Sequence, residues 1–193
     1  GKFEITGPGA ADWLSTIMAC KVPAVGRIAL SPMLNGRGRL IGDFTLCRVS
    51  DERFFVVGTY AAEAFYLRWF EQHLPPTGVS VRPCAMEHLG LSVAGPESRA
   101  VLQKLVDHDL STAAFPFMSF AQMDVGMVPA LVGRVSFTGE LGYEMWVTSE
   151  YLRTLYDLLH EAGKAHGLKN FGGRALNSLR LEKSFGNWAR EFR

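Results

Sequence analysis

The chain has 193 residues, 48% of them hydrophobic and 20% charged, and its 20 basic and 19 acidic side chains leave a formal net charge of +1. This balance provides no global field to recruit nucleic acid or an anionic membrane, and the composition is that of an ordinary globular protein. No apolar run approaches the ~18 residues of a membrane span.

Cys20, Cys47 and Cys84 are far apart and odd in number, so they form neither a CxxC zinc pair nor a plausible disulfide framework. A reducing, cytoplasmic setting is the simpler assumption. The opening Gly1-Lys2-Phe3-Glu4-Ile5 reads directly as a strand, with no signal peptide, which suggests a fragment of a longer chain.

In chain order, Phe3-Glu4-Ile5-Thr6-Gly7-Pro8 is a strand and Gly-Pro turn leading into a helix with the apolar stripe Trp13, Leu14, Ile17 and Met18. Strands are predicted at about 28–33, 39–49 and 53–58, then a helix over 60–73 that Leu74-Pro75-Pro76 stops. Asn35-Gly36 and Gly38 are expected to supply the φ > 0 positions of the hairpin between the first two of these strands. A further strand is placed at about 79–83.

Leu91-Ser92-Val93-Ala94-Gly95-Pro96 then repeats the opening pattern 88 positions later, with Val101, Leu102, Leu105 and Val106 as the helical stripe. Two related units, about 1–85 and 86–193, are the economical interpretation. Strands near 116–123, 130–137 and 142–148 follow, with Thr138-Gly139-Glu140 turning the last pair. A helix over 149–166 buries Leu152, Leu155, Tyr156 and Leu159, and ends at Gly163 or Gly167; another begins at Arg174, with Leu176, Leu179 and Leu181 as its apolar members. Elements arrive in clumps rather than strict alternation, so the fold class is α+β.

No dinucleotide, phosphate-loop or zinc-protease motif is present, and no histidine pair has metal-ligand spacing on one helical face. Asp43 is a lone acid in an uncharged strand beyond the glycine hairpin. Strands disfavour Asp, whose carboxylate competes for backbone bonds and is costly to bury, so it is either turned to water or kept for chemistry. Glu144 shares a face with neither Tyr143 nor Met145, and a carboxylate so placed can accept two parallel bonds from an aminopyrimidine-like ring. Arg180, Glu182 and Lys183 fit the solvated face of an amphipathic helix.

Three blocks taken together, Leu34-Asn35-Gly36-Arg37-Gly38-Arg39-Leu40-Ile41-Gly42-Asp43, Thr138-Gly139-Glu140-Leu141-Gly142-Tyr143-Glu144 and Leu179-Arg180-Leu181-Glu182-Lys183, resemble the folate-binding aminomethyltransferase family of the glycine cleavage T protein. The continuation to Trp188 looks more like the tetrahydrofolate domain attached to dimethylglycine and sarcosine dehydrogenases. The resemblance implies two intertwined ferredoxin-like halves, without the small C-terminal barrel that normally follows them. It also implies that Asp43 is the catalytic aspartate, that Leu30, Phe55 and Val57 lie beside the pteridine and aminobenzoyl groups, and that Glu144 binds the pterin ring. Some members carry tyrosine where this chain has Phe55, so a hydroxyl contact is lost here. Where T proteins have a pocket arginine this sequence has Leu176, with Arg174 close by as the candidate replacement.

The implied activity is tetrahydrofolate-dependent one-carbon transfer from an amine such as glycine, dimethylglycine or sarcosine, giving 5,10-methylenetetrahydrofolate, with no metal. FAD would belong only to a linked upstream oxidoreductase domain. Two alternatives are a non-catalytic folate module capturing formaldehyde equivalents and an iron–sulfur maintenance relative; the latter's Lys-Gly-Cys motif is missing here.

Overall fold

The computed structural model describes residues 1–192 and divides the chain into two compact units. Residues 1–86 form the first together with the segment from Asn187, and Glu87–Gly186 form the second. The chain therefore leaves the first unit, builds the second and returns. Among the described residues, no helix is long and apolar enough to cross a membrane.

The first unit is an antiparallel sheet in the order β2-β3-β4-β1-β5. Its strands are β1 (Lys2–Thr6), β2 (Ile28–Leu34), β3 (Leu40–Ser50), β4 (Arg53–Gly58) and β5 (Ser80–Pro83). Period-two alternation sends Phe3, Ile5, Phe44, Leu46, Phe54 and Val56 to one face, where α1 (Ala10–Ile17) and α2 (Glu63–His73) contribute Trp13, Leu14, Tyr66 and Phe70. Phe70 meets Phe3 edge-on, with ring centroids 5.2 Å apart, and the Trp13 indole N–H donates to the His73 carbonyl at 2.6 Å. Full burial of a ring such as Phe70 contributes roughly 2–3 kcal/mol.

The second unit is a four-stranded antiparallel sheet in the order β6-β9-β8-β7, with β6 (His88–Ala94), β7 (Phe120–Val125), β8 (Val128–Gly133) and β9 (Gly142–Thr148). Val93, Val132, Tyr143, Met145 and Val147 line its inner face beneath α3 (Ser98–Gln103) and α4 (Leu152–Gly163), whose Leu102, Leu155 and Leu159 complete the core.

The two strand–turn–helix openings coincide in backbone detail. Gly7 and Gly95 both adopt φ of +124°, which only glycine takes without strain. The N–H of Ala10 donates to Gly7 and that of Ser98 to Gly95, each at 3.0 Å. Each unit thus places its helix by the same glycine turn, and the mixed α+β architecture has two antiparallel sheets, as the resemblance implied.

Several boundaries differ from the sequence expectation. Gly38 takes a positive φ of 72°, but Asn35 and Gly36 do not. Instead the Asn35 side-chain oxygen accepts from the N–H groups of Arg37 and Arg39 and closes the turn. Strand β7 starts at Phe120 rather than near 116, because the chain turns through Met118 at φ 66°. Strand β8 stops at Gly133 and does not continue to 137. The Ser136 and Thr138 hydroxyls take up the N–H groups of Thr138 and Glu140, drawing the segment out of the ladder. The helix expected over 149–166 is α4 flanked by 3-10 turns, and Gly167 in the left-handed region ends it. A short α6 (Trp188–Glu191), not expected from the sequence, lies in the returning segment.

Candidate functional site

Register fixes which side chains share a face. Across the first sheet Leu30 pairs with Thr45, and Thr45 with Val57; Cys47 pairs with Phe55; Asp43 pairs with Pro32. Gly42, Phe44 and Leu46 turn inward, so Asp43, Leu30, Phe55 and Val57 all stand on the opposite, outer face. The structure therefore brings these four expected residues onto one surface. Phe55 is buried there, Val57 and Asp43 are half-buried, and Leu30 is exposed.

Asp43 is the single acid among those four. Burial pushes its carboxyl above the usual carboxylate range, while the main-chain N–H groups of Trp188 and of Asp43 itself face it and favour the ionised form. Tyr66 of α2 lies close by. Its phenol is pushed up to about 12, first by burial and then by the Asp43 charge. Thr59 pulls slightly the other way, but the buried hydroxyl completes no hydrogen bond. The Asp43 carboxylate is thus half-buried, with Tyr66 close by.

The returning segment is tied to β3 through Trp188. Its indole N–H donates to the Leu40 carbonyl at 3.2 Å, and its ring lies 5.8 Å from that of Tyr66. Tyr66 goes unmentioned among the sequence-predicted residues and Trp188 enters there only as a mark of resemblance, because Trp188 is 148 positions from Leu40 and their contact has no local signal.

In the second unit Glu144 stands on β9 opposite Ser92 on one side and Gly133 on the other. Tyr143, Met145 and Val147 face the core, so Glu144 faces away from it. Burial alone pushes its carboxyl to about 7, and no hydrogen bond or ion pair reaches that carboxyl among the described residues. A group in this state is close to half ionised at neutral pH, and its acceptor oxygens are not engaged by the protein.

Arg174 is exposed in the first turn of α5 (Gly173–Glu182), where the helix dipole disfavours a cation, and it makes no ion pair among the described residues. The structure gives it no acidic or aromatic partner of its own. Arg180 is the correction here. Far from lying on a solvated face, it is 1% exposed, donating to Asn177 and to the Phe185 carbonyl with the Phe137 ring below it. Leu181, expected on the apolar side, is 53% exposed.

A cleft of about 480 Å³ runs beside β6, lined by Tyr156, His160, His166, Asn170 and Leu176 among others, and neither Asp43 nor Glu144 lines it. Several of its polar groups bond to one another: Asn170 links His160 and Tyr156 at 2.8 Å each, and His166 meets Glu97 at 3.1 Å. These bonds tether the segment after α4 at His166 and Asn170. Among the described residues no group of three His, Cys, Asp or Glu side chains could hold a metal, and the three cysteines are free.

The family described as the GCVT N-terminal domain matches residues 1–193 in full. The chain belongs to this family. Human mitochondrial dimethylglycine dehydrogenase is 38% identical over 99% of the chain, which spans 22% of that protein. Sarcosine oxidase subunit alpha from Rhizobium meliloti is also 38% identical, over 95% of the chain and 19% of its own length. The crystal structure of glycine cleavage system aminomethyltransferase T from Bartonella henselae superposes with a TM-score of 0.81 at 25% identity, covering 95% of this chain and 48% of that one. The chain thus spans about a fifth of the length of these curated relatives. In this member of the GCVT family, the openings through Gly7 and Gly95 belong to the two sheets that carry Asp43 and Glu144.

Proposed function

We propose that this GCVT domain carries out tetrahydrofolate-dependent one-carbon transfer within a larger amine-oxidising protein, with Asp43 as the reacting acid. The observation that carries this reading is the state of Asp43. It is a half-buried acid on the sheet face that carries Leu30, Phe55 and Val57; Glu4 on the same face is engaged by Arg53 and Arg82, whereas Asp43 has no basic partner among the described residues, and burial raises its basicity.

The residues fit a reduced folate. In the first unit an aromatic and two aliphatic side chains suit a flat bicyclic ring and its aminobenzoyl arm; in the second, considered by itself, Glu144 offers an unengaged carboxyl suited to a 2-aminopyrimidine edge. Leu176 in place of an arginine removes one cationic contact, and Arg174, two residues before it in sequence, is the cation left on α5 to meet an anionic group. Tetrahydrofolate supplies the nucleophilic nitrogens that accept the carbon.

The chain's own part is electrostatic and prototropic. An oxidised N-methyl amine presents a cationic carbon, and the Asp43 carboxylate stabilises that charge more strongly in a water-poor site than in bulk solvent. When the acceptor nitrogen bonds to that carbon it loses a proton, which Asp43 takes and can return to the departing amine. The product is 5,10-methylenetetrahydrofolate. The relatives named dehydrogenase and oxidase favour dimethylglycine or sarcosine as donor, with FAD chemistry in a linked domain supplying the oxidation.

The test is Asp43→Asn in the full-length protein, with reduced-folate binding and methylene transfer measured separately. Transfer should fall by roughly 100-fold or more while binding changes only a few-fold. Transfer at the original rate would remove Asp43 from the chemistry and leave a binding module only. Glu144→Ala should lose folate binding under either reading.

A further inference from the structure

We propose that Trp188 is a positioning residue for Asp43: its indole grips strand β3 at Leu40 and braces Tyr66, which fixes the Trp188 main chain against the Asp43 carboxylate. This rests on the reading of Asp43 as the reacting acid and names what holds it.

Three contacts define the grip. The indole N–H donates to the carbonyl of Leu40, three residues before Asp43 on the same strand, at 3.2 Å. The indole ring lies 5.8 Å from Tyr66 at 46°, and Tyr66 in turn is pressed into the gap left by Gly42, where any Cβ would sit 2.6 Å from its ring. The Trp188 main-chain N–H faces the carboxylate. That donor is spare. It belongs to the first residue of α6, where no intrahelical acceptor exists. The Asn187 side chain accepts instead from Ala189 at 2.9 Å, and the Asn187 N–H donates to Glu191 at 2.7 Å. The returning segment is thus locked at both ends of its single turn, with one donor left over for Asp43.

The arrangement answers a physical difficulty. A carboxylate that is too well solvated is a weak base, and one that is buried without donors stays protonated and cannot act as a base at all. Main-chain donors on a desolvated carboxylate, here the N–H groups of Trp188 and of Asp43 itself, favour its ionised form while leaving other lone pairs for chemistry. A main-chain donor is useful only if its segment cannot drift, and the whole second unit intervenes in sequence between Asp43 and Trp188. Local chain stiffness therefore cannot hold this contact, so the indole must.

Among the described residues, no other charged group shifts Asp43. Strand β2 puts Pro32 opposite it, and α2 contributes Tyr66, which remains neutral to about 12. The acid on α6, Glu191, is engaged by the Asn187 N–H, and its neighbour Arg190 contributes no shift to Asp43.

The experiment is the pH profile of methylene transfer in the full-length protein for Trp188→Ala, Trp188→Leu and Trp188→Phe, beside Asp43→Asn. Alanine releases the segment. Leucine keeps apolar packing but cannot hold the Leu40 carbonyl, and so stands in if the alanine variant folds poorly. Each should move the acidic limb of kcat upward by about one pH unit and lower the plateau roughly 10-fold, with the folate KM within about threefold. Phenylalanine keeps the ring against Tyr66 but, like leucine, has no donor for the Leu40 carbonyl, so its plateau should fall between those of the leucine variant and the original protein. A merely structural Trp188 would reduce the amount of folded protein without moving the limb, and that result overturns the proposal. If Asp43→Asn itself transfers at the original rate, the underlying assignment fails instead, so the two failures are distinguishable.

Discussion

The guanidinium of Arg180 donates from Nη1 to the main-chain oxygen of Phe185 at 2.7 Å, closing the end of α5 onto the loop that follows it. With Nε on Asn177 at 2.9 Å and Phe137 beneath, this buried cation organises a segment also held by the Lys183–Glu140 ion pair and by Phe185 against Phe137. Arg180→Met keeps the apolar stem but leaves the Phe185 carbonyl and Asn177 without their donor. It should lower stability by about 2–3 kcal/mol in denaturant unfolding. Arg180→Lys keeps the charge and loses the planar fork, so about half of that loss is expected.

Arg180 also shows where sequence reasoning reaches its limit. An arginine between Leu179 and Leu181 in a charged helix carries no local mark of burial; the partners that accept it lie partly on another element, Phe137. The repeat was legible because its cause is local. Gly7 and Gly95 each occupy a backbone state that other residues avoid, and a Cβ on Gly7 would sit 2.3 Å from the Gly78 carbonyl. The faces of Asp43 and Glu144 followed from alternation along β3 and β9 alone. The end of β8 did not, because β-propensity through Val135 and Phe137 was overridden by hydroxyl bonds from Ser136 and Thr138. Trp188 met Leu40 only through tertiary structure, 148 positions away.

Glu144 should make stability depend on pH with a definite sign. Its folded carboxyl titrates near 7 against an ordinary 4.5, so the folded state binds more protons than the unfolded one between those values. Stability therefore falls as pH rises from 4.5 to 7, and the cost is full above 7. Glu144→Gln removes the ionisation while keeping the shape. Thermal unfolding at pH 8 should show the variant more stable by about 2 kcal/mol, with the advantage gone at pH 4. An equal gain at both pH values would mean packing, and not desolvated charge, is responsible.

Glu4 has the opposite sign and a smaller effect. Burial pushes its carboxyl up, but Arg82 and Arg53, bonded at 2.9 and 2.7 Å, outweigh burial and hold it below the ordinary value. This contribution is present above the unfolded pKa and disappears as pH falls through the folded one. The two arginines sit on β5 and β4, so Glu4 clamps both neighbours of β1. Because both arginines are partly exposed, Glu4→Gln should cost no more than about 1 kcal/mol at pH 7, and 1 M salt should remove most of the difference.

Gly42 shapes the surroundings of Asp43 by what it lacks. A Cβ there would lie 2.6 Å from the Tyr66 ring and 3.1 Å from that of Phe44. Alanine ordinarily gains over glycine in a strand by restricting the unfolded chain, so a net loss at this site requires a real clash. Neither ring has room to retreat: Phe44 and Tyr66 stack edge-on at 4.6 Å, and Trp188 closes the far side of Tyr66. Gly42→Ala should therefore destabilise the protein by about 1–3 kcal/mol. The cause can be isolated with Tyr66→Leu, which costs stability alone but opens the space that the new methyl needs. In a double-mutant cycle the two changes should couple favourably by 1 kcal/mol or so. Strict additivity would place the strain elsewhere in β3 and free Tyr66 from responsibility for the glycine.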